Sequence, residues 1–205
     1  MILYAITQRS LEPDHDLLAQ ASRLVRLGVD WLQVREKDLS DALLADALRA
    51  LVPEARRFGV RVLVNGRPDL AVLAGAAGVH LPSDGLPTDR VRREFPPPFL
   101  LVRSCHSREE AVAAADAGAD AVTLGPLYET PSKEGFGPPL GLERFADACA
   151  ACPCPVLGLG GIRRERVRQV LRCGAAGVAA IRLFAGFRAP LPEGGDLHRD
   201  LLSSL

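Results

Sequence analysis

Residues suited to binding an anion follow a short apolar run near position 33. Gln33 and Arg35 are two positions apart, so in a strand their side chains lie on the same side. Polar side chains directed into a protein interior need a partner, and the planar guanidinium suits an anionic ligand. We therefore predict that both side chains contact an anionic substrate, the alternative being a hydrogen-bonded network that only fills the interior.

A second candidate anion site contains two adjacent glycines, Gly160 and Gly161, after the apolar segment 155–159. Adjacent glycines allow backbone amides to approach an anion closely. Ile181 and Arg182 end a later apolar run, and we predict that these four residues bind a phosphate group. The alternative is a tight turn that binds no ligand.

The elements that position these residues are marked by four repeats, each a glycine followed by a short apolar run. The glycines are Gly28, Gly75, Gly118 and Gly174, at spacings of 47, 43 and 56 residues. A glycine can end a helix in the left-handed conformation, and the apolar run predicts a strand buried on both faces. One strand-plus-helix unit needs roughly 20 to 30 residues, so each spacing holds two units. The repeats then mark the even-numbered strands.

The odd-numbered strands are predicted in the apolar segments between the repeats. These are residues 2–6, 61–64, 99–102 and 155–159. Eight strands alternating with helical segments predict an α/β fold, a single TIM (β/α)8 barrel forming one domain over residues 1–205. In this fold the chemistry lies at the carboxyl ends of the strands. Candidate residues in segments that follow strands are Asn65, Ser104, His106, Thr130, Ser132 and the only two lysines, Lys37 and Lys133.

The composition narrows the class of protein. With 25 acidic and 25 basic residues the formal net charge is zero, so we expect no nucleic-acid partner. No apolar run approaches the ~18 residues of a membrane helix, and no secretory leader is visible, so we expect no membrane partner and a cytoplasmic location. The cysteines at 149, 152 and 154 are interpreted as small buried residues rather than metal ligands. Small barrels often pair, which suggests a homodimer.

The order of motifs along the chain resembles that of the thiamine phosphate synthase and TenI superfamily, from the first strand to the eighth. The matching segments are Q-V-R-E-K-D, N-x-R-x-D-L-A, G-V-H-L, S-x-H-S-x-E-E-A, G-A-D-x-V-x-x-G-P, T-x-S-K and G-G-I. Each motif alone is weak evidence, but their joint order and spacing are specific.

The resemblance implies roles for the candidate residues. The synthase joins a pyrimidine diphosphate to a thiazole phosphate, with Mg²⁺ holding the leaving diphosphate. By this resemblance Gln33, Arg35, Lys37 and Asn65 would hold the diphosphate, and Ser104 and Lys133 would assist the departing oxygens. The thiazole phosphate would be bound by Thr130, Ser132, Gly161, Ile181 and Arg182.

The chain departs from the synthase pattern at the two metal-binding positions. The synthase has Asp where this chain has Gly66, and a second Asp where it has Gly85. Glycine has no side chain to coordinate a metal, and the TenI branch is similar to this chain at both sites. TenI-type tautomerases shift a proton in a thiazole carboxylate phosphate without a cofactor. The catalytic histidine of that branch is replaced by Pro126, so we assign the proton transfer to His106.

The leading hypothesis from the sequence is a TenI-like thiazole phosphate tautomerase, an isomerase with no cofactor and no metal. The first alternative is a thiamine phosphate synthase with a shifted Mg²⁺ site that uses Asp84. The second alternative is a non-catalytic protein that binds thiazole or thiamine phosphates.

Overall fold

The four repeat glycines adopt the left-handed backbone conformation that the repeats predict. In the computed structural model, which describes residues 1–130, 138–185, 187, 189 and 195–203, their φ angles lie between +64° and +97°. Two of the repeats contain an aspartate that caps the neighbouring strand. Asp30 Oδ2 accepts a hydrogen bond of 2.7 Å from the amide of Leu3, and Asp120 Oδ2 accepts one of the same length from Leu101.

Each of these four glycines is followed by a parallel strand, and four further strands alternate with those to close an eight-stranded barrel in the order of the chain. The bounds are β1 Ile2–Ile6, β2 Trp31–Val34, β3 Arg61–Asn65, β4 Gly78–Leu81, β5 Leu100–Cys105, β6 Ala121–Leu124, β7 Val156–Leu159 and β8 Gly177–Ala180. The predicted TIM barrel is confirmed. The fifth strand extends to Cys105, beyond the predicted segment, because Ser104 and Cys105 continue the ladder with β6.

Helices cover the outside of the barrel and bury its outer apolar side chains. They are α1 Leu17–Arg26, α2 Asp41–Arg57, α3 Pro68–Leu73, α4 Thr88–Glu94, α5 Arg108–Asp116, α6 Leu142–Ala151, α7 Val167–Arg172 and α8 Leu197–Leu202. Ser107 caps the start of α5, since its Oγ accepts a 3.1 Å hydrogen bond from the amide of Glu110. Cys149, Cys152 and Cys154 pack against the outer core. Within the described ranges, no helix is long and apolar enough to cross a membrane.

The barrel interior holds a second, smaller apolar cluster. Tyr4 and Trp31 meet there edge to face, with ring centroids 5.5 Å apart. Because side chains alternate along a strand, Trp31 facing inward places Gln33 inside the barrel as well, one step closer to the carboxyl end. His80, Ser104 and Thr123 occupy the corresponding inward positions of β4, β5 and β6 and form hydrogen bonds there.

Candidate active site

Backbone amides without an acceptor lie at the carboxyl ends of β7 and β8. The N–H groups of Gly160, Gly161, Ile181 and Arg182 donate to no acceptor within the described part of the chain. Gly160 and Gly161 have φ angles of +97° and +65°, so their amides are turned out of the regular ladder. Amides arranged in this way can bind a phosphate group. These are the four residues predicted to bind phosphate.

The turn at Gly161 is held in place by close packing. A Cβ on Gly161 would lie 2.7 Å from Tyr128 Cβ and 2.8 Å from the carbonyl oxygen of Glu129. Arg166 Nη1 donates a 2.8 Å hydrogen bond to the Gly161 carbonyl, and its guanidinium lies 4.2 Å from the centroid of the Tyr128 ring. This packing orients the segment that leads to Thr130, which is half-buried. The predicted substrate residues Ser132 and Lys133 lie outside the described residues.

The loop after β2 carries Arg35 and Lys37 and is anchored by an arginine that follows β1. Arg9 forms ion pairs with Glu36 at 3.7 Å and with Asp38 at 2.5 Å, and the Arg9 amide donates to Glu36 Oε1 at 3.1 Å. The Glu36 side chain is only 5% exposed. Although Glu36 lies in a loop, the ion pair with Arg9 covers its carboxylate.

The predicted diphosphate-binding residues differ in their exposure. Gln33 is buried and donates from Nε2 to Tyr4 Oη at 3.3 Å, whereas Lys37 is exposed. Arg35 is half-buried and its amide donates to Thr7 Oγ1 at 2.9 Å. Asn65 is half-buried at the end of β3, in register with His80. Backbone positions therefore bring these side chains to one end of the barrel.

His80 joins Tyr4 to Ser104 beneath that end. His80 Nδ1 lies 3.1 Å from Tyr4 Oη, and His80 Nε2 lies 2.7 Å from Ser104 Oγ. Burial, followed by the charges of Arg35 and Arg103, lowers the pKa of His80 to about 3. Burial raises the pKa of Tyr4. Both groups are therefore neutral near pH 7, and Ser104 is attached to a network of uncharged side chains.

His106, the predicted proton-transfer residue, bridges the ends of three strands. Its Nδ1 lies 2.6 Å from the carbonyl oxygen of Gly125, which can only accept, so Nδ1 carries the proton. Its Nε2 lies 3.2 Å from Ser83 Oγ. In neutral His106 the basic atom is therefore Nε2. Pro126 directly follows the carbonyl that His106 contacts.

The positions that carry metal-binding carboxylates in the synthase lie on either side of a proline. A Cβ on Gly66 would be 3.8 Å from Pro82 Cδ, and one on Gly85 would be 3.0 Å from the same atom. Asp84, the candidate for a shifted Mg²⁺ site, is exposed. Among the residues that the structure describes, no group of three or more His, Cys, Asp and Glu side chains is placed to hold a metal ion. The described side chains therefore do not fit the Mg²⁺ site of the synthase.

Sequence reasoning missed several residues that shape this end of the barrel. Arg9, Tyr4 and Thr123 were given no role, although each contacts a candidate residue or its loop. The one available signal was the position of Arg9 just after a predicted strand. Tyr4 looked like an ordinary apolar strand residue.

The fold and the residues at its carboxyl end define a TIM-barrel protein with polar and cationic side chains gathered around the strand ends. The family model described as thiamine monophosphate synthase matches residues 3–184. The chain therefore belongs to the thiamine monophosphate synthase family, whose members are enzymes of thiamine biosynthesis. The superfamily predicted from the motifs is confirmed.

Individual relatives agree with this assignment. The chain is 39% identical over 206 residues to the thiamine-phosphate synthase of Roseiflexus sp. strain RS-1. The alignment covers 100% of this chain and 86% of the relative. It is 41% identical over 175 residues to the thiamine-phosphate synthase of Anaeromyxobacter dehalogenans, covering 85% and 78% of the two chains. Among solved structures, thiamine phosphate pyrophosphorylase from Pyrococcus furiosus superposes with a TM-score of 0.81 at 27% identity, covering 91% of this chain and 88% of that one.

These relatives correct the leading hypothesis from the sequence. The Roseiflexus and Anaeromyxobacter proteins carry the name of the synthase, a transferase, and neither is named as an isomerase. The TenI branch is not distinguished by the family match. The tautomerase is therefore not supported as the leading function. The hypothesis depended on Gly66 and Gly85, whereas the similarity of the whole chain favours the synthase.

Proposed function

We propose that this chain is a thiamine-phosphate synthase, which couples a hydroxymethylpyrimidine diphosphate to a thiazole phosphate. The proposal depends on the backbone N–H groups of Gly160, Gly161, Ile181 and Arg182, which donate to no acceptor within the described part of the chain. They lie at the same end of the barrel as the cationic side chain of Arg35. The four amides suit a phosphate monoester, and the guanidinium of Arg35 suits a diphosphate.

In the proposed reaction the pyrimidine methylene carbon loses its bond to the diphosphate oxygen and gains a bond to the thiazole ring. The transition state is loose, so the leaving diphosphate gathers negative charge. Arg35 and Lys37 balance this charge, while Gln33, Asn65 and Ser104 donate hydrogen bonds to its oxygens. No step is assigned to a metal ion, because the described donor set does not fit one.

The proposal is tested by incubating the whole chain with both substrates and measuring thiamine phosphate by fluorescence after oxidation to a thiochrome. The reaction is run with Mg²⁺ and with a chelator. We expect product in the wild-type protein and a loss of about 100-fold or more in Arg35→Ala, since a charge-assisted contact to the leaving group is removed. Arg61→Ala is the matched control, because Arg61 is an exposed arginine at the opposite end of β3. No product with or without Mg²⁺ would refute the synthase.

A second candidate function is the thiazole phosphate tautomerase, with His106 as the group that moves the proton. Its support is the contact between His106 Nδ1 and the Gly125 carbonyl, which leaves Nε2 as a base beside the strand ends. The assay follows the absorbance change on conversion of the exocyclic thiazole carboxylate phosphate to its aromatic isomer. A rate equal to the uncatalysed background, or one unchanged in His106→Gln, refutes this candidate. If neither reaction proceeds while thiazole phosphate binds, the chain is a non-catalytic binder.

The remaining expectations on partners and location are part of the same proposal. The partner is a small phosphorylated thiazole rather than nucleic acid or membrane, and the protein acts in the cytoplasm as a homodimer. Sedimentation of the purified chain tests the homodimer directly.

A further inference from the structure

Beneath the carboxyl end of the barrel lies a buried chain of hydrogen bonds, and the proposed reaction assigns no role to its two middle members, Tyr4 and His80. It runs from Gln33 through Tyr4 and His80 to Ser104. Three of these four side chains are buried, and Ser104 is half-buried at the end of β5. If this network only filled space, its hydrogen bonds could equally well be donated from Gln33 toward Ser104 or from Ser104 toward Gln33. The donors of this network fix one direction.

The direction is set at Tyr4. Gln33 Nε2 is a donor only, so Tyr4 Oη accepts its hydrogen bond at 3.3 Å. The Tyr4 hydroxyl keeps its single proton because burial disfavours the phenolate. That proton is donated to His80 Nδ1, 3.1 Å away. His80 Nδ1 is therefore an acceptor.

The tautomer of His80 follows from this acceptor. His80 is neutral, so its ring carries one proton, and with Nδ1 accepting that proton lies on Nε2. Nε2 then donates to Ser104 Oγ over 2.7 Å. Thr123 Oγ1 donates to the same oxygen at 3.4 Å. A serine hydroxyl has two acceptor positions and one proton, and both acceptor positions of Ser104 are used.

We propose that His80 is a positioning residue whose Nε2–H makes Ser104 present its hydroxyl proton to an anionic oxygen of the substrate. With the opposite tautomer, Ser104 would give its proton to His80 and turn lone pairs toward the anion. The proton directions rest on these contacts and on the burial that keeps Tyr4 and His80 uncharged. Only the identity of the anion, a diphosphate, rests on the proposed function.

The first experiment determines the tautomer without a substrate. A long-range ¹H–¹⁵N spectrum of the full chain labelled at histidine distinguishes protonated from unprotonated ring nitrogens. The His80 signals are identified by their disappearance in His80→Gln. We expect His80 to be protonated at Nε2 and unprotonated at Nδ1, and Tyr4→Phe to mix the two tautomers. A His80 protonated at Nδ1, or an imidazolium, overturns the proposal.

The second experiment measures binding of inorganic pyrophosphate by calorimetry. His80→Leu removes the donor to Ser104, whereas His80→Gln keeps an amide N–H near the position of Nε2. We expect His80→Leu and Ser104→Ala each to weaken binding about 10- to 100-fold, the loss of one hydrogen bond to a charged group. His80→Gln should restore most of the affinity. His80→Leu should have no further effect when Ser104 is already alanine.

The outcomes separate this inference from the proposed function. Equal affinity in wild type and His80→Leu overturns the positioning role while leaving diphosphate binding intact. A wild-type protein that binds no pyrophosphate refutes both the diphosphate assignment and the acceptor proposed for Ser104. Tyr4→Phe gives a second measure if His80→Leu does not fold, since it removes the donor to Nδ1. An unchanged tautomer and affinity in Tyr4→Phe contradict the inference.

Discussion

Pro82 occupies the space that a side chain on Gly85 would need. A Cβ at position 85 would lie 3.0 Å from Pro82 Cδ and 3.1 Å from the Pro82 carbonyl oxygen. The same ring is in ordinary contact distance of a Cβ on Gly66, at 3.8 Å. By the resemblance to the synthase, whose motif is H-L-G-Q-x-D where this chain has residues 80–85, a glycine corresponds to Pro82. The proline ring therefore restricts the space for a side chain at position 85, whereas a side chain at position 66 would meet it at an ordinary distance.

Restoring a metal site should require removal of the proline. Gly85→Asp alone should destabilise the protein by about 1–3 kcal/mol, because the added Cβ meets atoms at the limit of contact. The triple variant Gly66→Asp, Gly85→Asp, Pro82→Gly should gain binding of Mn²⁺, measured by electron paramagnetic resonance. The matched control has Ala at both glycine positions. Equal Mn²⁺ binding by the wild type and the triple variant would contradict this prediction.

The fold was predictable from the sequence because its signals are local. A glycine such as Gly28 that ends a helix and the buried strand that follows are close neighbours in the sequence, so the pattern can be seen along the chain. The inward position of Gln33 followed from strand alternation once Trp31 was placed inside. The common location of the strand ends then required no further information, because a closed parallel barrel brings every carboxyl end to one side.

The contacts of the site were less predictable because they join distant residues. Tyr4 and His80 are 76 positions apart, and Arg9 and Glu36 are 27 apart. No local pattern distinguishes a tyrosine that donates to a histidine from one that packs in the core. The branch of the family was judged from two glycines, although a single position such as Gly66 can change while the rest of the chain keeps its similarity.

The glycine at 161 should be needed for both folding and phosphate binding. Gly161→Ala adds a Cβ only 2.7 Å from Tyr128 Cβ in a left-handed conformation. Gly141→Ala is the matched control, since Gly141 has φ +77° and nothing within 4 Å of its added Cβ. The control should lose about 1–2 kcal/mol for the backbone conformation, and Gly161→Ala roughly 1–3 kcal/mol more. Urea unfolding measures both, and equal losses would show that the packing around Gly161 is loose.

Arg9 should stabilise the loop that carries Arg35. Arg9→Ala leaves the nearly buried carboxylate of Glu36 without its cation, which should cost about 1–3 kcal/mol in the free energy of unfolding. Glu36→Gln in the Arg9→Ala background should recover part of this loss, because the unpaired charge is then removed. Thermal unfolding of the four proteins of this cycle measures the coupling. Additive losses would mean that the ion pair contributes nothing.

The titration of His80 should make the free energy of unfolding depend on pH at values higher than those at which carboxylates titrate. Its pKa is lowered to about 3 in the folded protein, whereas in the unfolded chain the imidazole takes up a proton near its ordinary value of 6.5. The unfolded state therefore binds more protons below pH 6.5, and the free energy of unfolding decreases as the pH is lowered, by up to about 1.4 kcal/mol per unit.

Urea unfolding between about pH 5 and 7 should give a shallower slope for His80→Gln than for the wild type. His15→Asn, at an exposed histidine with φ +50°, is measured in parallel as the control for the loss of a histidine. Parallel curves for the wild type and His80→Gln would mean that His80 is protonated equally in both states.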